Sequence, residues 1–296
     1  MNQLLCADNL MIKNFIVPID FSDDSLKGLE LAILFSRKMY VNIQMVHVQR
    51  RSDQFPSTLR EEYLKIKEKL EMIIKDYSPR LGNGSKLRYI IKKGTKIYEE
   101  VVNQSESYKE SIIAASTHGA SGFEEFFIGS NAFKIISATT KPVIAIRKGK
   151  VPSEIKKIVL PIDVMPDTRQ KAPMTAEIAK LFGSEVHVIE VATSKSIKVQ
   201  KRLNAYSRQV SNFLRGNNIE VVNKTIIGDN VADITVQYAS SINADMISII
   251  TEQQSSITTL ILGNYAQQVL NKATIPVLNI TPRETGLKGT FSTFGG

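Results

Sequence analysis

Apolar residues along this chain come in short runs separated by amphipathic stretches. The runs "NFIVPID", "VNIQMVHVQ", "KLRYIIKKG", "ESIIAAS" and "KPVIAIRK" each predict a strand, and their near-continuous apolar character predicts burial on both faces. Between them the apolar period changes to that of a helix. Leu26, Leu29, Ile33 and Leu34 form one such face, and Leu59, Tyr63, Ile66, Leu70 and Ile73 form another. Ser22 is placed to cap the first helix, with Asp23 and Asp24 in the first turn, where the helix dipole favours acids. Thr58 with Glu61 predicts a capping box for the second. A third helix is expected from about Thr95 to Ser105, and a fourth from near Gly129. Alternating strands and helices predict an α/β fold with a mostly parallel sheet covered on both faces.

The pattern then repeats. "KNFIVPIDFSDDS" returns as "KKIVLPIDVMPDT", so that Pro18 and Asp20 match Pro161 and Asp163. "IIKKGTKIYEEVV" returns as "TIIGDNVADITVQ", with Gly94 on Gly228, and "FFIGSNAFKIISATTKPVIAI" returns as "LILGNYAQQVLNKATIPVLNI". The first match is offset by 143 positions and the later two by 134, so the second copy is shorter between its second and third strands. A duplicated domain follows. The expected division is an N-terminal extension over 1–11, a first domain over 12–149, a second over 150–282 and a tail over 283–296, with the boundary in "RKGKVPSE". The tail contains Phe291 and Phe294, which a neighbouring chain could capture.

Length and composition agree with two soluble domains: 296 residues, 43% hydrophobic and 23% charged. No apolar run approaches the roughly 18 residues that span a bilayer, and the first residues make a poor signal peptide. A single cysteine, Cys6, allows no intrachain disulfide and points to a reducing cytoplasm. With three histidines besides, a structural zinc site is not expected. The net charge of +9 is spread along the chain, so it suggests a general preference for anions and no nucleic-acid partner.

The candidate chemistry sits in "STHGASGFEEFFIGSN", Ser116–Asn131, between a strand end and a helix start. Three uses fit: a tight turn, a phosphate cradle, or a mount for a catalytic group. Gly119 and Gly129 would let backbone N–H groups approach an anion closely, and the helix at Ser130 would add free N–H groups. Turn geometry alone also accounts for the glycines. The chain has no Gly-x-x-x-x-Gly-Lys-Ser/Thr loop and no Gly-x-Ser-x-Gly elbow, and no lysine lies within Ser116–Ser130. Glu124 and Glu125 could activate a water, but an exposed acidic turn explains them more simply.

These segments resemble the universal stress protein family, twice in tandem. Its nucleotide-binding type carries Gly-x-x-Gly, nine residues, then Gly-Ser/Thr. Here Ser116-Thr117-His118-Gly119 precedes nine residues and Gly129-Ser130, with serine in place of the first glycine. "VPIDFSDDS", "VHV" and "KPVIAI" also match, over residues 12–147 and 155–281. The resemblance implies two Rossmann-like, adenine nucleotide alpha hydrolase-like domains, each a five-stranded parallel sheet. It implies that they pack as an intrachain pseudo-dimer, and a homodimer of chains is also open. It further implies binding of ATP or another adenine nucleotide, with Mg or Mn on the phosphates. Asp20 and Val48 would hold the adenine and ribose end over a floor of Pro18 and Ile19. Ser116, Thr117, His118, Gly119, Gly129, Ser130 and Asn131 would line the phosphates. Each has a plainer explanation: an end-of-strand proline, a loop carboxylate bonding local N–H groups, a core valine, an exposed loop histidine.

The second copy reads Ile250-Thr251-Glu252-Gln253, then Gly263-Asn264. A side chain replaces the close-approach glycine, and Glu252 would set an anion beside a polyanion. One competent nucleotide site per chain is expected. No catalytic residue is predicted. The expected role is a nucleotide-dependent regulatory or interaction module of the stress response. A slow ATP hydrolase, or a scaffold with a vestigial site, are the alternatives.

Overall fold

A computed structural model describes residues 12–50, 56–117, 130–147, 149–192, 196–251, 253–256 and 259–282. The first half runs β1 (Asn14–Pro18), α1 (Asp23–Ser36), β2 (Asn42–Arg50), α2 (Pro56–Tyr77), β3 (Lys86–Gly94), α3 (Ile97–Glu106), β4 (Ser111–Ser116), α4 (Ser130–Ala138) and β5 (Val143–Ile146). The second runs β6 (Lys157–Ile162), a 3-10 turn (Pro166–Lys171), α5 (Ala172–Phe182), β7 (Glu185–Ala192), α6 (Ile197–Gly216), β8 (Val221–Ile227), α7 (Val231–Ser241) and β9 (Met246–Ile250). It continues with the hairpin β10 (Gln253–Ser256) and β11 (Thr259–Leu262), then α8 (Asn264–Lys272) and β12 (Val277–Ile280).

Each half is a five-stranded parallel sheet, and the two join into one sheet of order β3-β2-β1-β4-β5-β12-β9-β6-β7-β8. The joint is antiparallel: Val143, Ile144 and Ala145 face Asn279, Leu278 and Val277. Asn279 is buried there and donates its amide to Val143 O and Val277 O. Strand registers confirm the repeat arithmetic. Ile43 pairs with Leu87 in the first half and Val186 with Val221 in the second. The offset therefore changes from 143 to 134 between those strands, across α2 and α6.

The central strands are buried on both faces, as their unbroken apolar runs require. One face carries Phe15, Val17, Ile43, Met45 and Leu160 under α1, α2, α5 and α6, and its core crosses the joint. Phe35 of α1 meets Phe182 of α5 edge-on, centroids 5.1 Å apart. The other face carries Ile16, Val46, Ile113, Ile247 and Ile249 under α3, α4, α7 and α8.

Ser22 caps α1 as predicted, its Oγ accepting from Ser25 N at 3.1 Å. The predicted cap at Thr58 is displaced. The helix already begins at Pro56, whose fixed φ suits a first helical position, so Thr58 lies inside the first turn.

Gly28 sets how closely α1 lies on the sheet. A Cβ there would sit 2.6 Å from Ala114 O and 3.4 Å from Ala115 Cα, both backbone atoms. Gly28→Ala should therefore cost roughly 1–3 kcal/mol in urea unfolding, despite alanine's better helix propensity. Gly216, with nothing within 4 Å of its would-be Cβ, should accept alanine with a gain of a few tenths of a kcal/mol. Equal responses of the two variants would refute the close-approach argument.

Candidate functional site

Chain order reverses beside β1: β2 and β3 lie on one side of it, and β4 and β5 on the other. Ligands of open α/β sheets bind at such points, beyond the carboxyl ends of the strands. Asp20 follows the end of β1, and Ser116 ends β4 on the neighbouring strand, so the two flank this crevice. Pro18 pairs with Val46, Ile19 N donates to Val46 O at 2.9 Å, and the same register carried onward sets Asp20 level with Val48. Val48 is 8% exposed and Ile19 3%, so both are chiefly core, whereas Asp20 is exposed.

Asp20 is organised by its own loop. Its Oδ1 accepts from Ser22 N at 3.0 Å and from Ser22 Oγ at 2.5 Å, the local hydrogen bonding that is its plainer explanation. Phe21 between them has φ +67°, a left-handed conformation rare for an aromatic residue. Its ring rests on His47, centroids 4.6 Å apart, and Lys69 Nζ lies 5.1 Å above it. His47 Nδ1 meets Ile19 O at 2.8 Å, and a carbonyl only accepts, so Nδ1 carries the proton. Burial lowers the His47 pKa from its usual 6.5; the Ile19 bond and Asp20 oppose the shift, and Lys69 adds to it. Phe21, His47 and Lys69 were not singled out from the sequence. Their one signal there was the aromatic residue directly after Asp20.

At the other flank, Thr117 N donates to Ile146 O at 2.8 Å, which holds the strand end in line. The Thr117 side chain is 1% exposed and its hydroxyl has no hydrogen-bond partner among the described residues. Asn131 is exposed in the first turn of α4. His118, Gly119 and Gly129 lie outside the described residues, as does the Ser130 side chain. The structure thus brings Pro18, Ile19, Asp20, Val48, Ser116 and Thr117 to the carboxyl ends of the three adjacent strands β2, β1 and β4.

The second half has a different crevice. Asp163 repeats the Asp20 turn, accepting from Met165 N at 2.7 Å. The position of Gly28, however, is taken by Lys171. A side chain cannot stand where Gly28 touches backbone, and the chain here runs through a 3-10 turn before α5. Lys171 is 1% exposed, and its Nζ donates to Thr168 Oγ1 at 3.0 Å. Burial depresses its pKa to about 8, against the opposing pull of Asp163. Tyr265 takes the position of Asn131. Burial raises its pKa, its hydroxyl lies 3.4 Å from Thr235 Oγ1, and Asp163 adds to the shift. The charge of Asp163 thus acts on both the buried ammonium and the phenol, with no ion pair to Lys171 among the described residues, whereas Asp20 is exposed. The segment matching the phosphate loop contains the antiparallel hairpin β10–β11.

Two stability measurements follow. A lysine whose pKa falls from 10.5 to about 8 on folding binds fewer protons folded than unfolded between those values, so its penalty is full below pH 8 and fades as pH rises. Lys171→Met should be more stable than wild type at pH 7, by up to about 3 kcal/mol, and the difference should shrink toward pH 10. A pH-independent difference would contradict this. For His47, whose pKa is lowered, folding loses stability as pH falls through 6.5. The wild type should lose more between pH 7 and 5 than His47→Gln, and equal losses would remove His47 from the account.

Comparison with known proteins places the chain. The profile of the Universal stress protein family matches residues 11–147 and again 154–280. Universal stress protein YxiE of Bacillus subtilis (strain 168) is 24% identical over 151 residues, 46% of this chain and the whole of that protein. A universal stress protein from Archaeoglobus fulgidus DSM 4304 superposes with TM-score 0.75 at 22% identity, covering 90% of this chain and 98% of that one. A functionally unknown protein from Pseudomonas aeruginosa PAO1 superposes with TM-score 0.60 at 16% identity, covering 92% and 93%. Two profile matches over nearly the whole length, on a fold that these structures share, make this chain a tandem two-domain member of the universal stress protein family.

Proposed function

We propose that the first domain binds an adenine nucleotide, ATP by the motif it carries, in the crevice between β1 and β4, and that the second domain does not. One contrast carries this reading. At the first switch point Asp20 is exposed and β4 runs into Ser-Thr-His-Gly, whereas at the second Asp163 is half-buried near the buried Lys171 ammonium and the sequence reads Thr-Glu-Gln. Other members of the family have been solved with an adenine nucleotide, one with cAMP and one from Archaeoglobus fulgidus with dAMP.

Asp20 and Val48 would meet the ribose and adenine, with Pro18 and Ile19 beneath. Ser116 and Thr117 would begin the phosphate cradle that His118, Gly119, Gly129, Ser130 and Asn131 complete. The buried Thr117 hydroxyl, lacking a partner among the described residues, suits an acceptor arriving at the strand end. Among the described residues no three His, Cys, Asp or Glu side chains are grouped to hold a metal ion. A Mg or Mn ion would therefore depend on the phosphates for its ligands. No helix among the described residues is long and apolar enough to cross a membrane. The reading is a regulatory module of the cytoplasm. Its two domains, divided near residue 149, act as a pseudo-dimer, and bound nucleotide biases their packing or that of a second chain.

Calorimetric titration of ATP into nucleotide-free protein should give about one site per chain, lost in Gly129→Glu and retained in Lys171→Met. Two equivalent sites would contradict the asymmetry. Absence of heat at several temperatures would move the protein to the scaffold class, and sustained phosphate release by the wild type would make it a hydrolase.

A further inference from the structure

A second cavity lies at the opposite end of the first half, against the amino ends of β1, β2 and β3. It measures about 150 Å³ and is lined by two cross-strand rows. Asn14, Asn42 and Lys86 stand side by side in one row, and Ile16, Gln44 and Arg88 in the next. Elsewhere this face of the sheet is apolar core, with Val46, Val48 and Ile113 on it. Six neighbouring positions that include three amides and two cations are a departure from that pattern.

The hydrogen bonds give the cavity a polarity. Gln44 Oε1 accepts from Gln104 Nε2 at 2.8 Å and from the Tyr108 hydroxyl at 3.4 Å. Two donors on its oxygen turn the Gln44 amide so that its NH₂ has no acceptor among the described residues. Asn14 and Asn42 are bonded to each other, to Glu110 O and to the Tyr40 hydroxyl, which locks them in place. Lys86 and Arg88 form no ion pair among the described residues. The nearby acids are engaged elsewhere: Glu110 with Lys13 at 3.0 Å, and Glu106 with Lys141 at 3.8 Å and with Thr140. The lining thus offers donors and positive charge, and its missing component is an acceptor.

The second half shows what a closed version looks like. The positions matching Asn14, Asn42, Gln44 and Gln104 hold Lys157, Glu185, His187 and Tyr238, and those matching Lys86 and Arg88 hold Glu220 and Val222. Lys157 pairs with Glu185 at 3.4 Å, and His187 bonds both Glu185 at 3.1 Å and Tyr238 at 2.8 Å. An internal carboxylate supplies there what the first half lacks.

We propose that this cavity is a binding site for a small dianion of the phosphate class, held by the Arg88 guanidinium, the Lys86 ammonium and the Gln44 NH₂. Arginine's planar fork matches two oxygens of such an anion, and lysine adds a point charge. The cavity has room for inorganic phosphate or a group of similar size. The site is separate from the β1–β4 crevice and does not depend on the nucleotide reading.

The test is a titration of inorganic phosphate at pH 7.5 into ¹⁵N-labelled protein carrying Gly129→Glu, which silences the loop at the other end. Chloride at matched ionic strength is the control. Saturable shifts of the Gln44 side-chain amide and the Arg88 Nε resonance are expected. In Lys86→Gln/Arg88→Gln, which alters only exposed side chains, the dissociation constant should rise at least tenfold while the rest of the spectrum stays in place. Equal shifts with chloride, shifts confined to other residues, or an unchanged constant in the double variant would overturn the proposal.

Discussion

The antiparallel pairing of β5 with β12 is the contact on which the arrangement of this molecule depends. Without it each half would expose a strand edge of buried, apolar residues, a template for pairing with another chain. With it the two sheets become one, and the Phe35–Phe182 contact extends the core across the joint. The pairing also fixes direction. Because β5 and β12 run oppositely, the strands of the two halves point to opposite edges of the sheet. The switch-point crevice of the first half and that of the second therefore open on opposite edges, and neither can share a ligand with the other.

Local packing then decides what each crevice can do. Gly28 lets α1 settle onto the backbone of β4 beside the first crevice. Lys171 at the matching position cannot do the same, and its ammonium is buried against Thr168 near Asp163. One change, from no side chain to a long cationic one, sets a buried ammonium near Asp163. Burying a lysine costs stability, as its depressed pKa records. Its persistence in the core is more readily understood as filling a space than as strengthening a fold.

The strands and the repeat were legible because buried parallel strands leave unbroken apolar runs, and because Pro18/Pro161, Gly94/Gly228 and the closing "KPVIAI"/"IPVLNI" are punctuation that survives duplication. The Ser22 cap was legible because its hydroxyl acts within three residues. The α2 start was not, since Pro56 competes with Thr58 for the same role and proline's backbone constraint prevailed. Lys171 escaped notice although the offset of 143 aligns it with Gly28. A lysine in a helical stretch is ordinarily a solvated surface residue, and only the depth of α1 on the sheet shows that this position faces backbone. The hairpin β10–β11 had no turn signature of the usual glycine or asparagine kind. The placement of Pro18, Ile19, Asp20, Val48, Ser116 and Thr117 toward the carboxyl ends of β1, β2 and β4 was legible, because the apolar runs show where strands stop. Phe21 and His47 were not, because their relation to Asp20 passes through a left-handed backbone turn and a neighbouring strand.

The same contrast between copies bears on the polar cavity at the amino ends. The two copies differ at matched positions at both ends of the sheet. At the carboxyl end the second half has gained an internal cation. At the amino end it has gained an internal acid, Glu185, bonded to His187 and Lys157. At the amino end Glu185 bonds Lys157 and His187, and at the carboxyl end the Lys171 ammonium bonds Thr168 near Asp163, while in the first half Asp20 is exposed and Lys86 and Arg88 form no ion pair among the described residues. Cations such as Lys86 and Arg88 set against a cavity are poor devices for stability, because exposed charges contribute little. They are good devices for recognition, since a ligand of complementary charge supplies the missing partner. The features that invite a ligand thus fall in the first half, and the second half completes the sheet.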